Sequence, residues 1–116
     1  MINKENEYQK VIRNHKRWAK HWTTASAHRS HSSTINMIAP AEKALDFIKS
    51  LIDNPQIDYS KKTTMLIEFY DKENSLERSQ GFMGSGFYFD AAQVIKKQKE
   101  EIENGKEATI FKMPKS

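Results

Sequence analysis

Between Lys4 and Trp22 the chain sorts its apolar and cationic residues onto opposite sides of one helix. Tyr8, Val11, Ile12, His15, Trp18, Ala19 and Trp22 follow the i, i+3, i+4, i+7 spacing of an amphipathic helix. At 100° per residue they fall within an arc of roughly 120°. Lys10, Arg13, Lys16, Arg17 and Lys20 occupy an arc of similar width on the other side. A helix divided this way needs a core to lie on. The remaining chain must therefore supply one, and the cationic side is expected in solvent.

The chain is long enough to do so. Its 116 residues suit a single domain (residues 1–116). Hydrophobic residues make up 37% and charged residues 29%, a polar balance, yet six Phe, four Tyr and two Trp are too many for a disordered tail. The absence of cysteine excludes disulfides, thiolate chemistry and iron–sulfur clusters, and it fits a reducing compartment. No apolar run approaches the 18 or so residues of a membrane span. The opening residues are charged, unlike a signal peptide. These features predict a cytoplasmic protein.

The net charge of +4 is concentrated at one end. Residues 1–33 hold seven basic residues and two acidic ones, and all four histidines. The body that follows is nearly neutral. Residues 23–36, rich in Ser and Thr and without a period, read as a loop or tether between the basic helix (1–22) and a compact body (37–116).

Within that body, Pro40 suits a first helical position. Ala41, Ala44, Leu45, Ile48, Leu51 and Ile52 form one stripe, and Asn54-Pro55 ends it. Residues 53–62 read as loop. Thr63 to Tyr70 is β-branched and aromatic, with Met65, Ile67 and Phe69 alternating against their neighbours, which predicts a strand. Asp71 to Gln80 reads as a charged connection, and Gly81 to Phe89 as a strand interrupted by glycines. Asp90 is a good N-cap for a helix running to about Asn104, with Ala91, Val94, Ile95, Gln98 and Ile102 inward and Gly105 closing it. Ala108 to Met113 reads as a last short strand. The expected fold is α+β in the order α-α-β-β-α-β, a small three-stranded sheet packed by helices, with a right-handed crossover if its last two strands are parallel.

The chemistry-bearing features are few. Lys10, Arg13, Lys16, Arg17, Lys20 and Arg29 could neutralise phosphates and release counterions, and Trp22 at the helix end could stack on an unpaired base. Lys96, Lys97 and Lys99 precede Glu100, Glu101 and Glu103 as i, i+4 pairs in the weaker orientation, opposed to the helix dipole. That order suggests a secondary basic patch shared with the first helix. His28-Arg29-Ser30-His31 lacks a nearby carboxylate and carries a cation between its histidines, so no metal site is expected. His15, on the apolar face, reads as a hydrogen-bonded core histidine. Gly81-x-x-Gly84-x-Gly86 matches neither the dinucleotide fingerprint nor a P-loop.

No nucleophile elbow, zinc-protease motif or cofactor motif is present, which points away from catalysis and from a cofactor. The size, lack of cysteine and Lys/Asn/Glu/Ile-rich composition are similar to those of small phage accessory proteins, including inhibitors of bacterial defence systems, though no motif carries the similarity. Two functions are expected. The first is a non-enzymatic nucleic-acid-binding accessory protein that contacts phosphate backbone with weak sequence preference. The second is a small protein-binding inhibitor or adaptor, such as a phage-encoded anti-defence protein. It would act on a nucleic-acid-processing enzyme through Trp18, Trp22 or the Gly81–Phe89 segment, with the acidic Asp71–Glu77 stretch facing a basic channel.

Overall fold

The computed structural model describes residues 2–25, 38–80 and 86–110, with 24 and 25 as backbone. Four helices carry these residues: α1 (Lys4–Ala25), α2 (Ile38–Ile52), α3 (Tyr59–Ser79) and α4 (Phe87–Glu103). There is no strand among the described residues, so the expected α+β fold is replaced by an all-helical one.

Each helix begins and ends for a local reason. Asn3 accepts from the Asn6 amide at 3.2 Å ahead of α1, and Glu5 and Glu7 lie in its positive first turn. Pro40 sits in the first turn of α2, where a missing N–H breaks no bond. Asp58 caps α3 by accepting from the Lys61 amide at 2.8 Å. Helix α4 starts from Gly86, whose φ of 77° is open to glycine and costly for other residues. It ends where Gly105, at φ 79°, lets Lys106 donate back to the Glu101 carbonyl at 2.9 Å.

The expected strand at Thr63–Tyr70 is instead the middle of α3, and the expected connection at Asp71–Gln80 continues it to Ser79. In this window nearly every residue is apolar or β-branched, so alternation and helical spacing fit equally well. Packing decides: Lys62, Thr63, Leu66 and Tyr70 are buried, a spacing of one helical face. Asp90 does not cap α4. It sits in the first turn, and Phe87 to Phe89 belong to the helix rather than to a strand. Residues 81–85 of that expected strand lie outside the described residues. So do 111–113 of the expected last strand, while 108–110 form no strand. The expected tether loses residues 23–25 to α1, and its residues 26–36 lie outside the described set.

One core cluster draws on all four helices. Tyr8, Val11, Ile12 and Ala19 come from α1, Ala41, Ala44, Ile48 and Leu51 from α2, Leu66 and Tyr70 from α3, and Phe87, Tyr88, Ala91, Ala92, Ile95 and Ile102 from α4. Helix α1 touches all three others and packs most extensively on α2, where Ala19, Ala41 and Ala44 add little bulk. Aromatic rings add contacts between other pairs of helices. Trp18 stacks on Phe87 with centroids 4.6 Å apart, and Phe47 on Phe69 at 4.4 Å. Burying a side chain such as Phe87 contributes about 1.5–3 kcal/mol. Val94, expected inward, is exposed.

Candidate nucleic-acid interface

With the apolar side of α1 committed to three helices, the cationic side faces out. Lys10, Arg13, Arg17 and Lys20 are exposed and Lys16 is half-buried. No Asp or Glu occurs anywhere from residue 8 to residue 41, so α1 itself places no carboxylate between Lys10 and Lys20. Helix α1 carries six basic and two acidic residues, whereas α2 and α3 are balanced and α4 is one charge negative. The described helices therefore place their excess positive charge on one face of one element. From Lys10 to Lys20 that face extends about 15 Å along the axis.

One carboxylate borders the stripe. Glu7 is buried, its Oε2 2.9 Å from the Lys10 ammonium and its Oε1 accepting from the Ala108 amide at 3.0 Å. The Lys10 hydrogen bond holds the Glu7 carboxyl below the usual range against the opposing effect of burial, and the Ala108 amide helps. The same bond raises Lys10, with Glu107 adding a weaker attraction. Arg13 is steadied locally: with its amide oxygen turned toward the guanidinium, Gln9 accepts from it at 3.2 and 3.3 Å. Arg29 lies outside the described residues.

The aromatic residues of α1 are on the far side. Trp18 is engaged with Phe87 and has its ring 6.0 Å from that of His15. Trp22 is half-buried against the core, with its indole nitrogen buried. The expected stacking residue thus belongs chiefly to the interior. His15 is buried as expected, and its Nε2 meets Gln98 Oε1 at 3.1 Å. His28 and His31 lie outside the described residues.

The expected secondary patch does not join the stripe through Lys96, which turns to α3 and pairs with Asp71 at 3.0 Å. Lys97 lines a shallow depression with Glu100, Glu101 and Lys106. Sequence reasoning overlooked Glu7, whose role depends on where the C-terminal segment lies. Its position one turn before Lys10 was the available signal.

No family model, curated protein or solved structure matches this chain.

Proposed function

We propose that the exposed face of α1 binds nucleic acid through the phosphate backbone, with Arg13, Lys16, Arg17 and Lys20 as principal contacts and Lys10 at the edge. The observation that carries the reading is the concentration of Lys10, Arg13, Lys16, Arg17 and Lys20 on the outer face of a helix whose other side is fixed by the core. Such a stripe attracts polyphosphate by counterion release and holds its charges at fixed spacing. It presents cations but few planar amides, so it supports little base discrimination.

The second expected reading, a protein-binding inhibitor, draws less support from these side chains. Trp18 and Trp22 are engaged by the core, and in the acidic stretch Asp71 is paired with Lys96 and Glu73 with Lys43.

The test is a salt titration of binding to labelled duplex DNA. With four phosphates neutralised, log K should fall with log salt at a slope of about −3.6. The triple variant Lys16→Glu, Arg17→Glu, Lys20→Glu should abolish binding while keeping its circular dichroism spectrum. Absence of binding by the natural chain at low salt would remove the proposal.

A further inference from the structure

Helices α1 and α4 run antiparallel, since Tyr8 meets Glu103, His15 meets Gln98 and Trp18 stacks on Phe87. Residues 106–110 turn back from the end of α4 and follow the join between the two. The Ala108 amide donates to Glu7 on α1. Thr109 donates to Glu101 on α4 through its amide and its hydroxyl, and its carbonyl accepts from Gln98 at 2.9 Å. The segment is thus fastened to both helices and heads toward the start of α4.

Ahead of it, the same join holds an apolar groove of about 70 Å³, lined by His15 and Trp18 of α1 and by Asp90, Ala91 and Val94 of α4. Val94 is 37% exposed there and Trp18 half-buried. Asn14, on the same flank of α1 seven residues after Glu7, is only 2% exposed, so this flank is covered and is not a solvent face.

The two anchors fix what reaches the groove. An extended chain advances about 3.3 Å per residue and a helix about 1.5 Å. Counted from Ala108 beside Glu7, residue 111 stands about 10 Å along α1, level with Asn14 and His15, and residue 113 about 16 Å along, level with Trp18. Counted from Thr109 beside Gln98, residue 111 is level with Val94 and residue 113 with Asp90 and Ala91. Anchors on different helices therefore bring the same two positions to the same groove. They are Phe111 and Met113, the next apolar residues after Ile110. Methionine packs well at the edge of an aromatic ring, and Trp18 offers one at its level. Residues two apart share a side of an extended segment, so seating both turns Lys112 outward. The neighbouring row of α1, three residues on from Glu7 and Asn14, carries Lys10 and Arg17.

We propose that residues 111–113 continue along the join, seat Phe111 and Met113 in the groove, and bring Lys112 alongside Lys10 and Arg17 as a further phosphate contact. The part given to Lys112 rests on the nucleic-acid reading of α1, and the seating does not.

The experiment is nuclear Overhauser spectroscopy of the full chain with labelled Met, Ala and Val methyl groups. Cross-peaks are expected from the Met113 methyl to the Trp18 indole and from the Phe111 ring to the Val94 methyls. Their absence overturns the proposal. A sample mixing labelled and unlabelled chains distinguishes peaks within a molecule from peaks between molecules. Peaks found only between molecules would give the groove to a second copy and overturn the proposal as well. Phe111→Ser combined with Met113→Ser should shift the Val94 methyls and quicken exchange of the Thr109 amide about tenfold or more, with the Leu76 amide unmoved. Unshifted Val94 methyls count against the seating. Lys112→Ala should lower the salt slope of duplex DNA binding by about 0.9. An unchanged slope removes Lys112 from the cationic face. Absence of duplex binding by the natural chain removes the reading of α1 and the part of Lys112 together, while the cross-peaks still decide the seating.

Discussion

His15 and Gln98, far apart in sequence, meet in the core with Nε2 3.1 Å from Oε1, and Gln98 spends its amide nitrogen on the Thr109 carbonyl at 2.9 Å. Because that nitrogen is the donor to Thr109, the Gln98 oxygen must accept, and His15 carries its proton on Nε2. Burial pushes the imidazole down to about 4 from an ordinary 6.5, against a smaller opposing effect of the Gln98 bond. Between those values the unfolded chain binds the proton and the folded chain does not. Stability from this residue is therefore complete above pH 6.5 and is lost as pH falls toward about 4. The slope reaches at most about 1.4 kcal/mol per pH unit. Glu77, raised by burial, works in the opposite sense, so the informative comparison is with a variant. Urea unfolding at several pH values between 7.5 and 5 should show a marked slope for the natural chain and a flatter one for His15→Gln. Equal slopes would refute the assignment.

Glu7 ties the end of the described chain to α1. Its two oxygens serve different donors, the Lys10 ammonium and the Ala108 amide. A glutamine there can offer an acceptor to one of them and must turn an NH₂ toward the other. Glu7→Gln should cost about 1–2 kcal/mol. Hydrogen exchange at the Ala108 amide should quicken by about tenfold or more, because local opening becomes easier. Binding of duplex DNA should stay the same or strengthen, since Lys10 loses its carboxylate. Unaltered exchange at Ala108 would show that other contacts hold the segment.

The Tyr70 hydroxyl is wholly buried and has no partner among the described residues. Burial raises it well beyond the ordinary tyrosine range, and the neighbouring Tyr88 phenol adds to the effect. Removing an unsatisfied hydroxyl relieves a desolvation penalty and leaves the ring in place. Tyr70→Phe should therefore leave stability unchanged or raise it by up to about 1 kcal/mol. A loss larger than that, measured by denaturant unfolding, would mean that the hydroxyl is satisfied.

The helices that were legible in the sequence are those whose faces differ sharply. In α1 the cations and the apolar residues are segregated, and in α2 a single stripe of Ala, Ile and Leu lies among charges. Helix α3 was not legible as a helix, because Thr63 to Tyr70 is apolar almost throughout and both periods fit it. Two signals pointed to the helix all the same: Asp58 three residues before Lys61, and the 63, 66, 70 spacing of Thr, Leu and Tyr. Reading Asp71–Gln80 as a connection gave its charge more weight than its helix-favouring Lys, Glu, Leu and Arg. The cationic stripe itself was visible from spacing alone. What depended on the fold was the reach of Glu7 to the Ala108 amide, the seating of Trp18 on Phe87, and the meeting of Leu76, Glu77 and Tyr88. Each of these is set by how the helices pack, which no local pattern encodes.

The seating of the tryptophans decides which nucleic acid the α1 face should prefer. Single strands are held by aromatic platforms beneath their bases, with stacking worth about 1–3 kcal/mol per base. The rings of Tyr8, Trp18 and Trp22 all lie on the core side of α1, opposite Arg13, Arg17 and Lys20. A rigid row of cations without rings matches a duplex better, because duplex DNA carries one phosphate per about 1.7 Å of axis and holds its phosphates in fixed array. Duplex should therefore bind about tenfold tighter than a single strand of equal length at equal salt. Tryptophan emission should change little on binding. Fluorescence anisotropy with matched labelled oligonucleotides measures the first quantity, and intrinsic emission the second. Equal or tighter single-strand binding with strong quenching would mean that Trp22 leaves the core to stack, and the duplex preference would then be wrong while phosphate binding stood.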